Sequence, residues 1–535
     1  MERNATAELP SNDLVNHPSW QALLAHHQEM KAVTLSSLFA KQATRFKHFS
    51  SEFAGILFDY SKNLCNEKTV ALLTDLAQES HLEEKIAALF SGQIVNLSEK
   101  RPALHTALRD LSPDPLILGQ KNIKEEIHHC LILMEKWSQL LREKRWLGTT
   151  GKAITDVVHI GIGGSHLGPQ TVIEALKAKT FEVIHTHFVA TVDEQHIQQL
   201  LKQLDPETTL FIVVSKTFTT YETLANAKIA KQWLNTSLKN LSSHFIGVTQ
   251  FPERAINFGI NPEFILPLWE WVGGRYSLWS SVGFIIAVAL GMDEFKNLLQ
   301  GAFAMDQHFR HSDFKNNLPV IFALLDLWSI NFFKTSTLAV LPYNHHLRLL
   351  PAHLQQLLME SNGKSTQQNS KPVNYATSPI VWGGNGSEGQ HAYFQLFFQG
   401  THLTPIDFII ALDENSFSQQ SLFASCIAQS QTLMQGNLQQ PELTTYQKII
   451  GNQVNNTIVL TELNAFALGA LLAFYEHRTF VQAALWNINA FDQWGVEQGK
   501  RNYKTLLEAI QTREITQSLD SSTQGLIDFY LKKHT

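Results

Sequence analysis

From residue 157 onward, short runs rich in β-branched residues alternate with longer helical patterns, and this alternation constrains the fold more than any other feature. "VVHIGIGGS" reads as a strand ending in glycines, and "LGPQTVIEALK" follows as a helix. "HTHFVATV" with "HIQQLLKQL", then "TLFIVVSKT" with "YETLANAKIAKQWL", repeat the pairing, and "HFIGVT" adds a fourth strand. A second such region begins near 320 with "STLAVLPY", "LRLLPAHLQQLLMES", "SPIVWGG", "AYFQLFFQ" and "TPIDFIIAL". Strands alternating with helices give a parallel sheet covered on both faces. The sequence therefore predicts an α/β protein with two αβα regions. Residues 1–150 carry helical spacing, as in "KTVALLTDLAQESHLEEKIAALF", and no β-branched strand run stands out there. The tail patterns "AFALGALLAFYEHRTFVQAALWN" and "YKTLLEAIQ" are helical, and no short repeat recurs.

At 535 residues the chain exceeds one ordinary core, so two or more domains are expected. A net charge of −6 argues against a general nucleic-acid binder, while leaving room for a local cationic site. Cys65, Cys130 and Cys426 are odd in number and far apart, which suits a reducing compartment. The opening "MERNATAELPSNDL" lacks the apolar core of a signal peptide. The most hydrophobic run, "VGFIIAVALGM", has about half the length that spans a bilayer and reads as a buried helix. A cytoplasmic protein is expected.

Ligands of open parallel sheets bind beyond the carboxyl ends of the strands, so the loops that follow the strands carry the functional argument. "GIGGSHLGP" (161–169) offers glycines and a helix N-terminus to an anion. A dinucleotide fingerprint would need a third glycine where His166 stands, and the acidic Asp193 lies beyond its strand. A phosphate or sugar-phosphate loop is favoured over a nicotinamide site, beside a purely structural glycine turn. "SKTFTTYET" (215–223) places Ser215, Thr217, Thr219 and Thr220 before a helix, with Lys216 among them. One hydroxyl would suffice for an N-cap; four suggest a neutral cradle for a phosphate. "WVGGRYSLWS" sets Arg275 behind a Gly273–Gly274 turn, just before a helix with Ser277 as its expected N-cap. Arg275 is either a ligand contact or a structural ion pair.

In "LQQLLMESNGKS" an apolar-spaced helix runs into Glu360 and is expected to stop at Ser361-Asn362-Gly363. Negative charge is disfavoured at a helix C-terminus, an arrangement that suits a general base better than a surface ornament. Gln356 shares a face with Glu360, and His353 is expected beside them. Leu350, Leu354, Leu357, Leu358 and Ser361 fall on the opposite, buried side. A P-loop is rejected because Leu358 occupies its first glycine position. "WGGNGSEGQHAYFQ" is read as a strand, a glycine turn and a helix opened by His391, which would be available as a base near neutral pH. "FDQWGVEQGKR" puts Lys500 after Asp492, where spacing alone leaves it no better than an exposed lysine. "HHC" (128–130) and "NHH" (344–346) lack zinc-site geometry, so no metal is expected. There is no G-x-S-x-G elbow, and no cysteine stands at the N-terminus as an amidotransferase nucleophile would.

Together these segments resemble the glucose-6-phosphate isomerase (phosphoglucose isomerase) family. "VGGRYSLWSSVG" (272–283) and "FDQWGVEQGK" (491–500) look like its two signatures. "LHTALR" (104–109), "GIGGSHLGP", "SKTFTT", "MESNGK" and "GQHAYFQLFFQGT" (389–401) are similar to further family blocks, in order, from about residue 40 to 505. The resemblance implies two αβα-sandwich sugar-isomerase domains, a homodimer, no metal or organic cofactor, and reversible conversion of glucose 6-phosphate to fructose 6-phosphate. Expected boundaries are a helical region at 1–120 packing on the larger domain, a smaller sugar-isomerase domain at 121–290, a larger one at 291–505 and a helical tail at 506–535. Departures occur at His166, at Glu194-Gln195, at 384–388, at Tyr221 and in "QVNNTIV" (453–459).

The same resemblance gives Glu360 the proton transfer between C2 and C1, and Arg275 the charge developing on the enediol. His391, reaching into the partner's site, and Lys500 would open the ring, with Glu222 orienting His391. Ser165, Ser215, Lys216, Thr217 and Thr220 would hold the phosphate, Gln356 and Gln493 would contact the sugar, and Gly164 and Gly274 would support the loops. Three rivals remain: a non-catalytic sugar-phosphate sensor, another isomerase of the same fold acting on mannose 6-phosphate or on both sugars, and a nicotinamide oxidoreductase.

Overall fold

The computed structural model describes residues 14–180, 184–413, 416–514 and 518–534. It begins with a departure from expectation. Residues 50–59, read as part of a helical region, form a hairpin of β1 (Ser50–Phe53) and β2 (Ile56–Asp59). Ala54 (φ 51°) and Gly55 (φ 76°) both adopt the left-handed conformation that a two-residue hairpin turn demands. Glycine takes it without steric cost, and the flanking "EF" and "ILF" supply short strands.

The first sheet contains β3 (Asp156–Ile160), β4 (His185–Val189), β5 (Thr209–Val214), β6 (Phe245–Thr249) and β7 (Ile265–Pro267). All are parallel, in the order β4-β3-β5-β6-β7. β5 and β6 are buried along their whole length, as continuous apolar runs such as "TLFIVV" require when helices cover both faces. Helix α1 (Leu167–Ala175) leaves the loop after β3, and α2 (Tyr221–Asn235) the loop after β5. Val158, Ile160, Phe211, Val213 and Ala227 belong to the core between sheet and helices. The run read as a buried helix is α3 (Phe284–Leu290), every residue of it buried. Among the described residues no helix is long and apolar enough to cross a membrane.

Two long helices come next, α4 (Met292–His311) and α5 (Leu318–Leu327). The second sheet contains β8 (Thr337–Pro342), β9 (Ile380–Gly383), β10 (Ile406–Ala411) and β11 (Asn455–Leu460). Its order is β1-β2-β11-β10-β8-β9, parallel from β11 to β9 and closed on the other side by the antiparallel hairpin. Helix α6 (Leu350–Gln355) follows β8. After β9 come the short α7 (Gly386–Gln390) and α8 (Phe394–Gln399).

Helix α9 (Ala465–Leu485) is buried on all sides, yet carries Glu476, His477 and Arg478. Burial of such charges is tolerated only with partners. Arg478 donates to both oxygens of Asp326 and, at 2.8 Å, to Asp407 Oδ2. Arg109 donates to Asp306 at 2.7 and 2.8 Å and also to Glu476, whose other oxygen accepts from Trp279 Nε1 at 2.8 Å. Burial raises Asp306, but Arg109 and His477 outweigh it and hold the carboxyl below its usual range. For Glu476 burial prevails over Arg109, and its proton affinity rises.

Contacts divide the chain into two units, Met1–Ala490 and Phe491–Thr535. Both sheets belong to the first. The second holds α10 (Glu497–Thr512) and α11 (Ser521–Lys533).

Candidate active site

The helix that carries Glu360 starts from the carboxyl end of β8. Pro351 sits in its first turn, where a missing N–H costs nothing. Residues Gln356–Glu360 widen into a π-helical turn, a local strain that recurs at functional sites. The expected apolar stripe is present: Leu350, Leu354, Leu357, Leu358 and Ser361 are all buried. Glu360 stands away from it, with its side chain 26% exposed. Gln356 Nε2 donates to Glu360 Oε2 at 3.0 Å, and Arg275 Nη1 lies 3.6 Å from the same oxygen. The helix ends after Asn362, within the expected stretch, and the buried Asn362 side chain donates to Thr479 O and Gln482 Oε1. Glu360 therefore lies in the last turn, with a guanidinium beside it. One expectation fails here. His353, expected next to Gln356 and Glu360 on the open face, is 4% exposed, and burial pushes its imidazole down to about 4.

Arg275 lies inside the tight helical segment Gly274–Trp279 and not ahead of a helix as expected. Ser277 is not an N-cap: its hydroxyl donates back to Gly274 O at 2.7 Å. The Arg275 guanidinium is buried. Its Nε donates to Ser361 Oγ at 2.6 Å and its Nη2 donates to Ala490 O. The loop after β3 is pressed against this segment. A Cβ on Gly164 would fall 2.0 Å from Gly274 O and 2.6 Å from Arg275 N, so only glycine fits. A Cβ on Gly163 would approach Gln356 Nε2 at 3.0 Å. The glycines of "GIGGS" therefore let two loops and the Glu360 helix meet.

Ser165 closes this first loop; its carbonyl accepts from or faces His159 Nε2 at 2.6 Å, and its side chain is half-buried. His166 presents its ring edge-on to Phe188 at 5.6 Å, and burial pushes it down to about 4. β3 and β5 are neighbours in register, Ile160 beside Val213, so the loop that starts at Ser215 begins next to the first. Ser215 is buried with its hydroxyl 3.0 Å from Thr220 Oγ1, while Thr217 is exposed and accepts from Thr219 at 2.8 Å. Thr220 occupies the N-cap of α2 without making a side-chain cap. Phe218 holds a left-handed backbone (φ 50°) with its ring buried, a strained residue between the hydroxyls. Lys216 turns toward the Arg275 loop and donates to Glu270 O at 2.7 Å and Val272 O at 2.9 Å. Burial, helped by the nearby Arg101 charge, pushes it down to about 8. Its main visible task is to tie the second loop to the third.

His391 does not open a helix. It terminates α7, its N–H donating to Glu388 O at 3.0 Å, and is exposed. The glycine turn is instead capped by Asn385, which accepts from Ser387 N and Glu388 N and so uses the departure at 384–388 as a helix start. Glu222 is half-buried in the first turn of α2 and makes no side-chain contact with His391. Asp193 is the N-cap of the helix Glu194–Leu201, accepting from Gln195 N at 3.1 Å, which explains its place beyond the strand. Lys500 and Gln493 belong to the second unit. There Lys500, 63% exposed in the first turn of α10, pairs with Glu497 Oε1 at 2.6 Å.

Sequence reasoning overlooked two buried hydroxyls at the centre of this arrangement. Ser361 was assigned only to the packed stripe, and Tyr276 was passed over. Their hydroxyls lie 2.9 Å apart, and the Tyr276 ring lies 4.6 Å from that of His105. The available signal was adjacency: each follows a residue singled out for chemistry.

A carboxylate held by an amide and an arginine, at the meeting of glycine loops and the Glu360 helix, can move a proton at a carbon next to a carbonyl. Comparison with known proteins agrees. The family model described as phosphoglucose isomerase matches residues 59–527. Glucose-6-phosphate isomerase of Ectopseudomonas mendocina (strain ymp) is 45% identical over 545 residues, covering 98% of each chain. That of Shewanella putrefaciens (strain CN-32 / ATCC BAA-453) is 45% identical over 539 residues, covering 97% of this chain and 98% of the other. The crystal structure of a glucose-6-phosphate isomerase from Chlamydia trachomatis is similar at a TM-score of 0.87 and 30% identity, covering 97% of this chain and 99% of that one.

Proposed function

The chain belongs to the phosphoglucose isomerase family, and we propose that Glu360 carries the proton its reaction moves. The protein interconverts glucose 6-phosphate and fructose 6-phosphate, a step of glycolysis and gluconeogenesis. The observation that carries the residue assignment is the Gln356–Glu360–Arg275 cluster, with one carboxylate oxygen facing both donors. Glu360 removes the C2 proton of the open-chain sugar and returns it to C1 through a cis-enediol. Arg275 stabilises the negative charge that develops on the enediol oxygens, the kind of preorganised term that often dominates catalysis. Gln356 orients the base and contacts the sugar.

Ser165, Ser215, Thr217 and Thr220 bind the phosphate with the amides at the starts of α1 and α2. Lys216 contributes through the one ammonium donor left after two carbonyls have taken the others. Binding energy gathered at the phosphate is then available to position the reacting carbons. His391 and Lys500 open the ring, with Gln493 on the sugar and Glu222 as the orienting carboxylate. The enzyme works as a homodimer in which each His391 serves the partner's site. The exposure of His391 and its lack of a side-chain hydrogen bond or ion pair among the described residues support that assignment. The two sugar-isomerase domains span 121–290 and 291–505, the hairpin at 50–59 being an outlying part of the second sheet. Three free, buried cysteines support a cytoplasmic setting.

The test is Glu360→Gln, which keeps the shape of the side chain and removes the base. Turnover should fall by at least about three orders of magnitude, the upper range for acid–base catalysis, with substrate binding retained. The wild type should exchange the C2 or C1 proton with solvent deuterium. A variant that keeps more than a tenth of wild-type turnover would remove Glu360 from the mechanism.

A further inference from the structure

Arg275 and Glu360 come from segments almost ninety residues apart, yet their side chains stand 3.6 Å from each other. Something must fix the guanidinium, because arginine has four rotatable side-chain bonds and no shape preference for this spot. A guanidinium is a rigid planar fork, so pinning two of its nitrogens aims the third. Here Nε is pinned by Ser361 Oγ at 2.6 Å and Nη2 by the Ala490 carbonyl. The third, Nη1, is the nitrogen that faces Glu360 Oε2.

Ser361 is fully buried and follows Glu360 directly, so one turn of chain carries both the base and the acceptor that aims the arginine. Its oxygen is itself held. Tyr276 OH lies 2.9 Å away, and the Tyr276 ring is fixed by burial against His105 at 4.6 Å. Tyr276 also follows Arg275 in sequence. Each charged residue thus has a hydroxyl neighbour on its own chain segment, and the two hydroxyls meet.

We propose that Ser361, supported by the Tyr276 hydroxyl, is a positioning residue that aims Arg275 at Glu360 and so sets the electrostatics of proton transfer. The inference rests on the roles given above to Glu360 and Arg275. It predicts a defect in turnover and not in substrate capture, because both hydroxyls are spent on each other and on the guanidinium.

The experiment is a cycle of Ser361→Ala, Arg275→Gln and the double variant, with Tyr276→Phe and Ser361→Thr alongside. Ser361→Ala should lower kcat by about 10- to 100-fold, the range seen when a supporting hydrogen bond is lost behind a functional group. KM should change by less than about threefold. On an Arg275→Gln background the same change should cost less than about twofold, since there is no guanidinium left to aim. Tyr276→Phe should give a smaller kcat loss with KM held, and Ser361→Thr, which restores the hydroxyl, should recover most of the rate. Urea unfolding checks that each variant is folded, and Tyr276→Phe carries the test if Ser361→Ala is not. Wild-type kcat in Ser361→Ala, beside a crippled Arg275→Gln, would overturn this inference alone. So would an equal loss from Ser361→Ala on both backgrounds, which is what a merely structural serine would give. Wild-type kcat in Arg275→Gln would instead overturn the role given to Arg275, and this inference with it.

Discussion

Gly164→Ala adds one methyl group at the point where the first loop touches the Arg275 segment. The backbone at Gly164 needs no left-handed conformation, so any effect is steric. The new Cβ would stand 2.0 Å from Gly274 O, 2.2 Å from Gly274 C and 2.6 Å from Arg275 N. All three are backbone atoms, so no flexible side chain can swing aside. Non-bonded heavy atoms settle near about 3.5 Å, and the two loops must part by roughly 1 Å or more. Displacement of that size at a reacting centre costs about 100-fold in rate, and forcing a methyl into a packed contact costs about 1–3 kcal/mol of stability. The companion change, Gly274→Ala, meets nothing within 4 Å. It should leave the urea midpoint within error of wild type, while Gly164→Ala lowers both midpoint and kcat. The assay couples fructose 6-phosphate conversion to a dehydrogenase, with unfolding followed by tryptophan fluorescence. If Gly164→Ala matched Gly274→Ala in stability and kept wild-type turnover, the contact would not hold the site together as argued.

Two other expectations concern assembly and pH. Refolding an equal mixture of Glu360→Gln and His391→Ala should recover about a quarter of wild-type activity, because half of randomly paired twofold dimers each regain one intact site. Confirmed dimers that stay inactive would mean that each subunit builds its site alone. Burial pushes both His159 and His353 down to about 4, so between the ordinary histidine value and pH 4 the unfolded chain binds protons that the native chain refuses. Stability should therefore fall as pH is lowered through that window, seen as a urea midpoint lower at pH 5 than at pH 7; an unchanged or higher midpoint would contradict it.

Much of the architecture was legible because long apolar runs admit few readings. "TLFIVV" and "HFIGVT" became buried strands, and "FIIAVAL" a buried helix, as their composition demands. Local contests decided by distant partners were not legible. The helix does end at Asn362, but nothing in the local sequence shows that its amide is buried on Thr479 and Gln482, more than a hundred residues away. His353 lay on the polar side of an ideal helical wheel, which a π-helical turn interrupts just beyond it. His391 was misread by one short element: Asn385 starts a helix that ends where one was expected to begin. Lys216 stands in a phosphate-like loop of the sequence, where the two carbonyls that also hold it, some 55 residues downstream, cannot be seen. The hairpin at 50–59 carried a signal, a glycine between two short apolar runs, that helical spacing around it concealed.

That hairpin also sets a schedule. β2 lies beside β11, with Asp59 opposite Thr457, so its partner emerges about 400 residues later. A ribosome adding about 5–20 residues per second needs about 20–80 s to deliver it. All five strands of the first sheet are complete by Pro267, long before then. During that interval β2 has a free edge, and its apolar "ILF" invites pairing with the wrong strand. The turn at Ala54-Gly55 folds β1 back onto the opposite edge of β2, so the side that awaits β11 is the one left open while the chain is being made.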